Sequence, residues 1–201
     1  MAGLRERKKE QTRRQIADTA RRLFAEHGFE RVTVAEVARA ADVSAQTVFN
    51  YFPSKEDLVY WRLGDFEDEL LAAIRERPPG EPALAAFKRF ILSQRGLLGQ
   101  ADPAAYEHLT ALTRTIAESP ALQAREQQIL EGYTATLAAE LGGDITAAVA
   151  AAAMIGVHRA LIGFTRGHIL AGTPQPELQK LVPAEAERAF ALLEHGLADY
   201  G

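Results

Sequence analysis

Residues 33–55 read TVAEVARAADVSAQTVFNYFPSK, and this stretch decides the fold. Thr33 and Glu36 have the spacing of a capping box, in which a hydroxyl and a carboxylate each satisfy a backbone N–H at a helix start. Val34, Val37, Ala38 and Ala41 then recur at helical spacing. Asp42 follows at a turn, where aspartate tolerates the positive φ usually given to glycine. Ser44 caps a second short helix. Pro53 stops it, because the residue before a proline avoids helical geometry. Two short helices joined by a tight turn make a helix-turn-helix. Ala38 is small enough for the helices to approach, and Val48 plugs the space between them. Ala45, Gln46, Thr47, Asn50 and Tyr51 are left pointing outward.

That outward set suits the major groove of DNA. Gln46 and Asn50 each offer a donor and an acceptor to base edges, with adenine the favoured partner. Ala45 and the Thr47 methyl fit a thymine methyl. Ser44, Thr47, Tyr51 and Thr33 offer hydroxyls to phosphate. Lys55 stands at the start of the next helix, where its charge adds to a helix N-terminus. Arg13 and Arg14, further upstream, are placed to grip the backbone or a minor groove. The plainer reading of the same residues is a helical hairpin with a solvated face.

Outward from this stretch the pattern is helical almost throughout. A first helix is expected over 8–27, with Ile16, Ala20, Leu23 and Phe24 on one stripe and Gly28 as its C-terminal stop. Ser54 caps a fourth, expected over 55–75. The break at Arg77-Pro78-Pro79-Gly80 is followed by helices expected over 82–99, 103–118, 120–141, 145–171 and 183–198. The fold class is therefore all-α, with about nine helices. A three-helix DNA-binding domain (residues 1–53) precedes a larger helical domain (54–201).

Composition sets the outer limits. The chain has 201 residues, 47% hydrophobic and 25% charged, and no cysteine. Disulfides, thiolate nucleophiles and cysteine-ligated zinc are excluded. Net charge is −4, but residues 1–55 hold 11 Lys/Arg against 7 Asp/Glu while the remainder holds 12 against 20. A basic head on an acidic body suggests that only the head meets phosphate. The longest apolar run, Ala147–Val157, is about half the length that spans a bilayer. With no secretory pattern at residues 1–15, a cytoplasmic protein without a membrane partner is expected. No cofactor and no metal site is expected either. His108, His158 and His168 fall on two helices without a short ligand spacing. No nucleophile elbow or phosphate loop is present.

Residues 10–60 resemble the TetR family of bacterial transcriptional regulators. The resemblance rests on Ile16-Ala-Asp-Thr-Ala20, Leu23-Phe24, Gly28-Phe29, Thr33 through Ala38, and Val43-Ser44 through Leu58. Asp42 departs from the family's usual glycine. The resemblance implies that Ala45, Gln46 and Asn50 lie near base edges, and Thr33, Thr47, Tyr51 and Lys55 on phosphates. It also implies a ligand-binding, dimerising domain joined through the fourth helix, which would carry the effector signal. The partners implied are a double-stranded palindromic operator, a small-molecule effector and a second copy of the chain.

Within the second domain, Trp61, Phe66, Phe87, Phe90, Tyr106, His158 and Phe164 are candidates for lining a ligand site, though such a set also serves as core. Arg159 suits a ligand carboxylate or phosphate, or an interface salt bridge. Ala152, Gly156 and Gly163 permit close helix approach, and with Phe190, Leu193 and Leu197 they are the candidate dimer interface. The expected function is a ligand-responsive repressor. The rival readings are a nucleoid-type binder without an effector and an all-helical enzyme.

Overall fold

The protein is described here by a computed structural model covering residues 3–94 and 103–196. Its helices are α1 (Leu4–His27), α2 (Val34–Ala40), α3 (Ala45–Tyr51), α4 (Leu63–Arg75), α5 (Ala83–Ser93), α6 (Pro103–Glu118), α7 (Pro120–Glu140), α8 (Ile145–Leu170) and α9 (Gln175–His195). A 3-10 turn, Glu56–Leu58, lies between α3 and α4. No strand occurs among the described residues. The chain forms two compact units: one runs to Gly64 and takes in Thr115–Glu126, and the other takes Asp65–Arg114 and the chain from Gln127 onward.

In the first unit α1, α2 and α3 enclose Ile16, Ala20, Phe24, Phe29, Val37, Ala38, Val48 and Phe52. Leu58 and Tyr60 are buried in the same unit, so it extends past Pro53, where the sequence places the domain boundary. The capping box on α2 forms in full: the Thr33 N–H donates to Glu36 Oε2 at 2.7 Å, and the Glu36 N–H donates to Thr33 Oγ1 at 3.3 Å. Hydrogen bonds from the Thr33 backbone and then its hydroxyl hold the Glu36 carboxyl below the usual carboxylate range. Asp42 turns the chain at φ 55°, the one non-glycine residue of positive φ among those described. With Asp42 in that conformation, the Val43 N–H reaches back to the Ala38 carbonyl at 3.0 Å and closes the end of α2. Gln15 Nε2 donates to the Ala41 carbonyl at 3.0 Å and ties α1 to the same turn.

The helix expected over 55–75 is not continuous. Ser54 and Asp57 do form a reciprocal cap, with bonds of 2.9 and 3.3 Å, but only a 3-10 turn follows before α4 starts at Leu63. At this interruption Arg13 Nη2 donates to the Trp61 carbonyl at 2.7 Å. The last helix differs too. It starts at Gln175 rather than 183, and Pro183 lies within it on the exposed side, where its missing N–H costs least.

In the second unit α8 packs against α9, and both pack against α5. Its core includes Leu70, Ile74, Phe87, Leu137, Ala151, Ile155, Leu161, Leu178 and Phe190. By length and composition alone α8 would cross a membrane. Here it buries seven residues along one side, Ala147 through Ile169, inside the helical unit.

Candidate nucleic-acid interface

The site is built on α3, seven residues long, which Ser44 starts by accepting the Thr47 N–H at 3.0 Å. Val48 anchors the helix from beneath at 1% exposure. With one side thus committed, the helical repeat turns Ala45, Gln46, Phe49 and Asn50 to solvent, while Thr47 and Tyr51 are half-buried at the edges. Gln46 Nε2 donates to Asn50 Oδ1 at 3.1 Å, so the two amides stand as a linked pair one helical turn apart. The Ser44 and Thr47 hydroxyls share a hydrogen bond of 2.8 Å at the helix start. Thr33, exposed at the start of α2, uses its hydroxyl on Glu36 Oε2 at 2.8 Å.

The cationic candidates have partners inside the unit. Lys55 Nζ lies 4.2 Å from the Phe29 ring centroid and 3.4 Å from the Glu30 carbonyl it donates to. It precedes a three-residue 3-10 turn, not a long α-helix, so the helix-dipole contribution expected there is small. Arg13 is half-buried, bonded to the Trp61 carbonyl and 5.9 Å from the Trp61 ring centroid. Arg14 is exposed and paired with Glu10 at 2.6 Å.

Sequence reasoning missed Phe49, which is 46% exposed on α3. Its signal was present: Phe49 follows Ala45 by four residues and so shares its side of the helix. It also missed that Thr115–Glu126, the corner between α6 and α7, belongs to this unit. The corner is held by three polar bonds. Ser119 Oγ donates to Glu30 Oε1 at 2.6 Å, Tyr60 Oη to the Leu122 carbonyl at 3.0 Å, and Arg125 Nε to Asp57 Oδ1 at 2.8 Å. Glu30 also receives Lys55, so the corner is bonded directly beside a candidate phosphate contact.

The candidate ligand residues fall into several places. Trp61 belongs to the first unit, between Arg13 and Arg62, whereas the other candidates belong to the second. In the second unit Phe66 stacks on His158 with centroids 4.9 Å apart, and also meets Tyr133 at 5.6 Å and Phe90 at 5.2 Å. Tyr133 was not anticipated, and burial pushes its phenol pKa up. Phe164 packs on His168, and the Tyr106 hydroxyl donates to the Thr173 carbonyl. Phe87 is core, edge-on to Phe190 at 6.0 Å. An open groove of about 600 Å³ between α5 and α9, lined by residues such as Lys88, Leu92 and Glu194, contains none of these aromatics.

Of the candidate interface residues, Phe190 is 0% exposed within the chain, so it belongs to the core and not to a contact surface. Leu193 is half-buried, and Leu197 lies outside the described residues. Ala152, Gly156, Arg159 and Gly163 are exposed together along α8. Ile145 (79% exposed), Val149 (63%) and Leu170 (48%) continue the same face.

Residues 16–60 match the family described as bacterial regulatory proteins, tetR family. The chain is 33% identical over 152 residues to the HTH-type transcriptional regulator TcmR of Streptomyces glaucescens, covering 71% of this chain and 66% of that protein. It is 31% identical over 142 residues to the putative mycofactocin biosynthesis transcriptional regulator MftR of Mycobacterium tuberculosis, covering 66% and 65%. The chain thus spans just under two thirds of the length of these curated relatives. Among solved structures, NalD of Pseudomonas aeruginosa, the secondary repressor of the MexAB-OprM multidrug efflux pump, shares the fold. It has a TM-score of 0.56 and 19% identity over 95% of this chain and 100% of that one. The regulator FadR of Bacillus subtilis, solved with stearoyl-CoA, has a TM-score of 0.53 and 22% identity over 89% and 96%.

Proposed function

Because the chain belongs to the TetR family of bacterial regulatory proteins, whose members bind DNA through a helix-turn-helix and regulate transcription, we propose that it is a ligand-responsive repressor of the cytoplasm. It binds a palindromic operator as a homodimer, and a small-molecule effector releases it. The observation that carries this reading is the linked Gln46–Asn50 pair, exposed on a short helix whose other side is buried through Val48.

One seven-residue helix reaches only a few base pairs, so specific affinity calls for two copies. The exposed apolar face of α8 supplies the surface for pairing. Its glycines support close approach, since a Cβ at Gly156, Gly163 or Gly167 would meet nothing within 4 Å. The path from effector to DNA runs through the α6–α7 corner. Both helices leave the second unit and enter the first there, and the corner is bonded to Glu30, Asp57 and Tyr60. This replaces the unbroken fourth helix, which the turn at Tyr60–Arg62 interrupts. A ~100-fold difference in effector affinity between two states of the corner supplies ~2.7 kcal/mol, enough to release an operator held at modest excess.

The test compares two variants on a panel of operator duplexes. Gln46→Ala should relax selectivity at one base position per half-site, by ~1–3 kcal/mol if the contact is bidentate. Lys55→Ala should weaken all duplexes alike and flatten the dependence on salt. Unaltered base preference in Gln46→Ala would remove that residue from the readout and the reading with it.

A further inference from the structure

Four large hydrophobic side chains are exposed among the described residues, and three of them, Ile145, Val149 and Leu170, share the α8 face. The fourth is Phe49, 46% exposed in the middle of α3. An isolated exposed phenylalanine is ordinary on a protein surface. This one stands on the helix whose solvent side is otherwise committed to base edges. Ala45 precedes it by one turn on the same side and is also exposed. The outer surface of α3 therefore has two edges: a polar one, where Gln46 Nε2 is bonded to Asn50 Oδ1 at 3.1 Å, and an apolar one formed by Ala45 and Phe49.

Each edge has a chemical complement in the major groove. The amide pair leaves Gln46 Oε1 to accept and Asn50 Nδ2 to donate, which complements the N6 amino group and N7 of adenine. The apolar edge has one complement among the base edges, the 5-methyl group of thymine. The helix spans Ala45–Tyr51 and carries no arginine or lysine, so the bidentate contact to guanine O6 and N7 does not come from it.

We propose that Phe49, one helical turn from Ala45 on the same side, reads a thymine 5-methyl group in each half-site, and that the base step under α3 is therefore A·T. Desolvating Phe49 against that methyl covers apolar surface that is exposed in the isolated chain. The proposal rests on the operator-binding reading above and adds to it the base that the apolar edge selects.

The experiment begins with the duplex that the full-length protein selects from a random-sequence pool. Thymines in the selected half-sites are replaced one at a time by deoxyuridine, which removes the 5-methyl group and leaves base pairing intact. At one thymine per half-site the wild-type protein should lose about fourfold in affinity, the factor expected from one buried methyl-sized group. Replacement in both half-sites should cost about fifteenfold. Phe49→Ala should bind the thymine and uracil duplexes equally at that position. Phe49→Leu, which keeps an apolar side chain, should retain the discrimination, and circular dichroism of both variants checks that the helices persist. If no thymine is sensitive to its methyl, or if the sensitivity survives in Phe49→Ala, the proposal is overturned while operator binding stands. Failure to select any duplex overturns the operator reading and this proposal together.

Discussion

Under the proposed pairing through α8, Gly156→Glu should leave the protein monomeric and lower its affinity for a two-site operator by ~10²–10⁴. Gly156 lies on the face of α8 that Val149, Ala152 and Gly163 leave open to solvent. A Cβ added there meets nothing within 4 Å inside the chain, so the substitution does not disturb the fold it sits in. Glutamate is also the better helix former by a few tenths of a kcal/mol. Across a dimer seam the same carboxylate meets its own copy in a desolvated setting, and an unpaired buried charge costs several kcal/mol. Sedimentation equilibrium should report the monomer mass, with helical content unchanged by circular dichroism. A Gly156→Glu protein that dimerises as tightly as the parent would place the seam elsewhere.

Val48→Asp should abolish DNA binding on every sequence, and for a different reason. Val48 is 1% exposed and is the buried residue of α3. A carboxylate at that point has no partner and no water, at a cost of ~3–5 kcal/mol, a large part of what holds a small domain together. The first unit should then unfold at lower denaturant than the parent, and with it the support for Gln46 and Asn50 should vanish. Val48→Ile, which keeps the plug apolar and β-branched and adds one methylene, should cost about 1–3 kcal/mol and retain binding. Denaturant titration followed by circular dichroism measures both. A folded Val48→Asp that still binds would mean that α3 is not held from beneath by this residue.

What could be read from the sequence follows the range of the interactions involved. The capping box at Thr33 and Glu36, the Ser44 cap and the positive φ of Asp42 are decided within three or four residues, and all are present. The outward set on α3 was legible for the same reason, since the position of Val48 fixes the opposite side. Longer-range features were not. The break after Leu58 involves Arg13, 48 residues away from the carbonyl it captures. The inclusion of Thr115–Glu126 in the first unit depends on side chains of Glu30, Asp57 and Tyr60 finding partners on a helix corner far along the chain. Phe190 has the spacing of an interface stripe, yet Phe87 claims it for the core. Pro183 looked like a helix start because proline favours that position, but an exposed site inside α9 accommodates it.

The central claim is that two copies of α3 read an inverted repeat. Selection of bound duplexes from a random-sequence pool by the full-length protein, followed by sequencing, tests it most directly. The account predicts enrichment of two inverted half-sites whose centres lie one helical turn of DNA apart, about 10 base pairs, or a multiple of it. Each half-site should contain an A·T step. Enrichment of a single unrepeated motif, or no enrichment over the starting pool, would contradict it.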